Sequence, residues 1–278
     1  MLAMKRNFME MTNAQWDQGR FLCIGLDTDI DKIPESARRE GVRETLMTFN
    51  NAIIDATKDI AGSYKPNSAF YEAYGDLGWT ALQETVAYIR EVAPETPVIL
   101  DAKRADIGNT NQGYLAGLVD RGGAHAITVH PYLGAEALAP FLERSEIGVF
   151  VLCRTSNGGA GEFQDLNVEG EPLYVHVARH VRDQWNGNGN CGLVVGATYP
   201  EEMKKIRTVA DDLPFLIPGI GTQGGDLEKT VAYGKDSRGK GMIIAVSRAI
   251  IYASGSDDYA GAARARALEY DAAIKAAL

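Results

Sequence analysis

The stretch Asp101-Ala-Lys103-Arg-Ala-Asp106 sets a lysine between two carboxylates. It follows Pro97-Val-Ile-Leu100, a short apolar run that predicts a buried parallel strand. Asp101 and Lys103 lie two residues apart, so an extended chain presents both on one face. Asp106 comes where the strand gives way to a loop. Neither carboxylate is explained by the apolar pattern. Negative charge beside a lysine favours its ammonium form. A Schiff-base lysine needs the opposite, an apolar site or a second cation. The chemistry expected of Lys103 is therefore that of a fixed cation and proton donor. The same residues would equally suit a structural ion-pair network, which perturbs pKa values without catalysing anything.

A second cluster lies far along the chain, in Pro218-Gly-Ile-Gly221-Thr-Gln223-Gly224-Gly225-Asp226, followed later by Ser247-Arg248. Glycines in a short loop let the backbone approach a ligand and aim N–H groups at it. An arginine offers forked donors that match phosphate oxygens. The other reading is a tight turn and a surface arginine. His176 and His180 stand four apart on a predicted helix, but no carboxylate is spaced with them, so a solvated or partly buried pair is expected rather than a metal site. His130 is at most a pocket wall.

These residues need a scaffold, and the apolar runs outline one. Strands are predicted at 21–26, 63–67, 97–100, 126–130, 148–153, 191–195, 214–217 and 241–246. Helical patterns are predicted at 4–19, within 34–61, at 69–92, 109–121, 134–144, 172–185 and 200–210, and at 257–278, with a long loop from Ser156 to about Gly170. Alternation of short apolar strands with helices argues a parallel sheet with helical crossovers, and eight repeats argue an α/β fold closed as a (β/α)₈ TIM barrel with an extra N-terminal helix. No Gly-x-Gly-x-x-Gly follows the first strand, which disfavours an open doubly wound sheet. No linker or low-complexity run interrupts the 278 residues, so one domain spanning 1–278 is expected. In such a barrel the active site lies at the C-terminal ends of the strands, with phosphate held after strands seven and eight. Asp27, Lys65, Asp101, Lys103 and Ser156 all fall at such ends, and Gln223 and Arg248 fall in the phosphate loops.

Composition limits the partners. A net charge of −9 argues against nucleic acid or an acidic membrane surface, though a small anion responds to local charge. Met1 to Arg20 has no long apolar segment, so no secretory signal is expected, and no run is long enough for a membrane span. Three scattered cysteines, Cys23, Cys153 and Cys191, fit buried thiols in a reducing, cytoplasmic compartment.

Taken together, Lys65, Asp101-x-Lys103-x-x-Asp106, Thr110, Pro218-Gly-x-Gly-x-Gln223-Gly-Gly225 and Arg248 resemble the orotidine 5′-phosphate decarboxylase family, over nearly the whole barrel from Asp27 to Tyr252. The stretch from Asp101 to Asn111 resembles its bacterial long-chain branch. The resemblance implies loss of CO₂ from C6 of orotidine 5′-phosphate to give UMP, without cofactor or metal. It implies catalytic roles for Lys103, Asp101, Asp106 and Lys65. It implies substrate contacts from Asp27 to the ribose, Ser156 to the pyrimidine, and Pro218, Gln223, Gly224 and Arg248 to the phosphate. It also implies a homodimer in which Asp106 and Thr110 reach the neighbouring subunit's site. Three rivals remain open: a metal-dependent sugar-phosphate decarboxylase, a Schiff-base aldolase, and a silent nucleotide-phosphate binding barrel.

Overall fold

A computed structural model describes residues 7–278. The start of the predicted first helix, at Met4, lies outside the described residues. Eight parallel strands form the sheet: β1 (Leu22–Leu26), β2 (Ser63–Pro66), β3 (Ile99–Arg104), β4 (Ala126–Val129), β5 (Gly148–Arg154), β6 (Cys191–Val195), β7 (Phe215–Ile217) and β8 (Met242–Val246). Their lateral order is β2-β1-β8-β7-β6-β5-β4-β3. Parallel bridges from Tyr64 to Val98 and from Asn67 to Asp101 join the two ends. The chain therefore folds as the (β/α)₈ barrel expected. Every residue of β1, β6, β7 and β8 is buried, as required of strands covered by helices outside and packed side chains within. Among the described residues, no helix is long and apolar enough to cross a membrane.

The helix Phe8–Asp17 crosses the N-terminal ends of the strands. The side chain of Asn7 accepts from the N–H groups of Met9 and Glu10 and so caps its first turn. Phe8 packs edge-to-face on Phe150 of β5 with ring centroids 5.6 Å apart. Trp16 Nε1 donates to the Met242 carbonyl at the start of β8, 2.8 Å away. The extra helix thus covers the bottom of the barrel and leaves the opposite mouth open. All three cysteines are free and buried. His176 Nε2 lies 2.8 Å from the Val168 carbonyl, and His180 packs edge-on against Trp185, so each imidazole has a local partner.

The structure departs from the sequence reading in four places. The predicted helix 69–92 is two helices, Ser68–Glu72 and Gly75–Val92. Gly75 at the junction has φ of 62°, and a Cβ on Gly78 would meet the Tyr71 carbonyl oxygen at 1.9 Å, so the chain turns at one glycine and packs the two segments closely at the other. The helices predicted at 109–121 and 172–185 widen into π-helical turns at Leu115–Arg121 and Val181–Trp185. The helix Leu227–Gly234, capped by the Asp226 side chain, follows β7 where none was predicted. The loop after β5 carries short ordered pieces, including a two-stranded hairpin of Asn167–Val168 and Glu171–Pro172.

Candidate active site

The polar residues gather at the open mouth. A cleft of about 500 Å³ is lined by Asp27 after β1, Lys65 of β2, Asp101 and Lys103 of β3, Ser156 after β5, Pro218 and Gln223 after β7, and Arg248 after β8. Each follows or ends an apolar strand, so the strand fixes its Cα while its side chain leaves the core. Lys103, Gln223 and Arg248 therefore share one cavity although they lie far apart in the sequence.

Four charges alternate across the floor of the cleft. Lys65 Nζ lies 3.8 Å from Asp27 Oδ1 and 3.2 Å from Asp101 Oδ2. Asp101 Oδ1 receives Lys103 Nζ at 2.7 Å and the Thr128 hydroxyl at 2.9 Å. Lys65 is only 6% exposed. Burial alone would lower its pKa, but the charges of Asp27 and Asp101 outweigh burial and raise it well above the usual lysine range. Burial would likewise raise the pKa of Asp101, and Lys65 and Lys103 overcome it, holding the carboxyl well below the usual carboxylate range. Both groups are charged at neutral pH. Lys103 is about half exposed at the side chain, and its ammonium turns onto Asp101 within the cleft rather than into bulk solvent. Asp27 Oδ1 is buried without a hydrogen bond, 3.8 Å from Lys65 Nζ, and the residue lines the cleft.

The opposite wall is made of backbone and amide groups. Gly219 has φ of 107°, a left-handed conformation that suits glycine, and a Cβ there would press on Ser156 and Gln223. Ser156 Oγ donates to Gln223 Oε1 at 3.1 Å, linking the loop after β5 to the loop after β7. Arg248 is exposed and forms no ion pair among the described residues, so its donors remain available to an anion.

Three predicted residues stand apart. Asp106, Thr110 and Gly224 do not line the cleft. The Asp106 carboxylate accepts from the Ile107 N–H at 2.7 Å, and among the described residues no ion pair joins it to Lys103. Within one chain, then, the lysine has one carboxylate partner, not two. The loop turns Asp106 away from the strand face that Asp101 and Lys103 share. Beside it the apolar Ile107 is 61% exposed, and on the next loop Tyr132 is 91% exposed. His130 is also outside the cleft lining.

The sequence reading missed Thr128, Asn67 and Gln164 as site residues. Thr128 and Asn67 both touch Asp101, Asn67 Nδ2 at 3.5 Å. The signal for Thr128 was a hydroxyl inside the otherwise apolar Ala126-Ile-Thr-Val129, which period-based reading counts as core. Gln164 accepts from the Thr155 N–H at 2.9 Å and lines the cleft from the return of the long loop. No local pattern marks it.

Comparison with known proteins gives a consistent picture. The model of the orotidine 5′-phosphate decarboxylase / HUMPS family matches residues 20–265. The orotidine 5′-phosphate decarboxylase of Cellvibrio japonicus (strain Ueda107) is 49% identical over 263 residues, 94% of this chain and 96% of that one. The structure of Leishmania donovani OMP decarboxylase superposes with a TM-score of 0.82 at 36% identity, covering 97% of this chain and 99% of the other. Leishmania donovani UMP synthase gives a TM-score of 0.85 at 38% identity over 97% of this chain, which spans only 57% of that longer protein.

The buried charges set an expectation for stability. Asp101→Asn leaves Lys65 buried with Asp27 as its remaining charged partner, and loss of one member of a buried pair costs about 3–5 kcal/mol. Urea unfolding at pH 7 should show that loss. Because the folded-state pKa of Asp101 is depressed, its contribution is full above the unfolded value of about 4 and fades as pH falls below it. The gap between parent and variant should therefore narrow in acid. A gap that is small at pH 7, or that widens in acid, would contradict the pairing.

Proposed function

The chain belongs to the orotidine 5′-phosphate decarboxylase / HUMPS family, and we propose that it converts orotidine 5′-phosphate to UMP and CO₂, with Lys103 as the proton donor. The observation that carries this reading is the alternating row Asp27–Lys65–Asp101–Lys103, in one cleft with Gln223 and Arg248. As the C6–carboxylate bond breaks, its electron pair stays on C6 and CO₂ leaves. The ammonium of Lys103 stands where that negative charge develops and then transfers a proton to C6. Preorganised charge of this kind is often the largest catalytic contribution, since nothing needs to reorient during reaction. No step draws on a metal or an organic cofactor.

The remaining roles follow the geometry. Asp101 holds Lys103 in place and lies beside the departing carboxylate. Lys65 keeps Asp101 ionised, and Asp27, which lines the cleft, takes a ribose hydroxyl. Ser156 hydrogen-bonds the pyrimidine. The loop from Pro218 to Gln223, with Arg248, holds the 5′-phosphate. Phosphate bound far from C6 contributes to rate when it orders the loops that enclose the site. Asp106 and Thr110 serve the site of a second subunit in a homodimer. Their exclusion from their own cleft and the exposed Ile107, Tyr132 and Leu133 alongside support that reading.

Loss of orotidylate absorbance with a chelator present is the direct test, and activity that requires added metal would overturn the mechanism. Arg248→Ala should lower kcat/KM for the phosphorylated substrate by about 10²–10³-fold, as expected for two lost charge-assisted hydrogen bonds, and barely change turnover of the bare nucleoside. Equal losses on both substrates would remove Arg248 from the phosphate site. Lys103→Ala and Asp106→Ala should each abolish turnover. Mixing the two inactive proteins should restore about a quarter of parental activity, because half of the dimers are mixed and each then holds one intact site of two. No recovery after subunit exchange would argue against the shared site.

A further inference from the structure

The ladder between β3 and β4 breaks at the candidate site. Leu100 pairs with Ile127, and the next pair is Arg104 with Val129. Three residues of β3, from Asp101 to Lys103, therefore face a single residue of β4, Thr128. Regular pairing resumes beyond them, with the His130 N–H donating to the Arg104 carbonyl at 3.2 Å. Such an excess of chain bends a strand and re-aims its side chains. At its end Lys103 adopts φ of 47°, a left-handed conformation that side chains other than those of Gly, Asn and Asp seldom take.

One oxygen stands where the ladder is interrupted. The Lys103 N–H donates to Thr128 Oγ1 at 2.9 Å, and Thr128 Oγ1 donates to Asp101 Oδ1, also at 2.9 Å. A hydroxyl has one proton and two lone pairs. The carboxylate takes the proton and the backbone amide uses a lone pair, so both roles are fixed without ambiguity. Thr128 is 1% exposed, and valine would fill the same space without either bond.

We propose that Thr128 is a positioning residue that aims Lys103. It acts twice on the same ammonium, by holding the bent backbone from which the side chain departs and by orienting the carboxylate that receives Nζ. The proposal rests on the reading of Lys103 as the proton donor. A merely structural threonine would lower stability and leave the lysine's geometry and the chemical step unchanged.

The test compares Thr128→Val with Thr128→Ser in the full chain. Hydrogen exchange at the Lys103 amide reads the contact without substrate. Protection should fall by about tenfold or more in T128V and persist in T128S. In decarboxylation assays T128V should lose about 10–100-fold in kcat with KM within about threefold of parent, and T128S should recover to within about threefold. Retained amide protection in T128V, a kcat within about twofold of parent, or equal losses in both variants would overturn the proposal. A parent protein that does not act on orotidine 5′-phosphate would instead refute the functional reading, and amide exchange would still decide whether Thr128 holds Lys103. If T128V does not fold, Thr128→Ala gives the same two readouts.

Discussion

The structure turns on keeping Lys65 charged inside an apolar barrel. Removing an ammonium from water costs several kcal/mol even after relaxation, and a single neighbouring carboxylate repays this only with good geometry. Here two carboxylates flank it, and one of them is shared with Lys103. Neutralisation forces the rest of the arrangement. Two anions around one buried cation leave excess negative charge, which the second lysine at the cleft surface offsets. The alternation of sign is therefore a solvation requirement first. In the proposed reaction it is also what presents the Lys103 ammonium to the substrate.

Buried ion pairs add little net stability compared with apolar residues of the same size. A barrel selected for stability alone would fill these positions as it fills β6 to β8, with valine, isoleucine and leucine. The charged row and the bent end of β3 both depart from that solution, at neighbouring positions on one rim. Departures from local regularity are tolerable where the surrounding structure over-determines the fold. The helix Phe8–Asp17 and the stacked rings of Phe49 with Tyr252 and Tyr259 belong to that surrounding support.

Much of this was legible in the sequence because burial leaves a periodic trace. Continuous apolar runs located all eight strands, and charged residues at their ends located Asp27, Lys65, Asp101 and Lys103. What the pattern lacks is register. The apolar run ends at Leu100, whereas β3 runs on to Arg104 with Asp101 and Lys103 inside it, because polarity there reflects the site and not the loss of strand structure. The pattern set Asp106 beside Lys103, although a turn redirects that carboxylate. It passed over Thr128, since a threonine in an apolar strand looks like core until its hydroxyl is seen to replace a missing ladder partner.

The loop after β5 shows how a long segment can hold a side chain in place without a regular element. Its base is closed by Arg154, whose guanidinium pairs with both oxygens of Asp165, at 2.8 and 3.1 Å, and stacks on the Tyr199 ring 3.8 Å from its centroid. Gln164 adds bonds to the Thr155 backbone and hydroxyl. Planar, bidentate and stacked contacts together suit arginine and would not survive replacement by lysine. Ser156 lies immediately beyond this closure, so its hydroxyl is aimed by the anchored base. The fixed base and the Ser156–Gln223 bond join two loops that are distant in sequence. A ligand that orders the Gln223 loop would therefore act on the same serine.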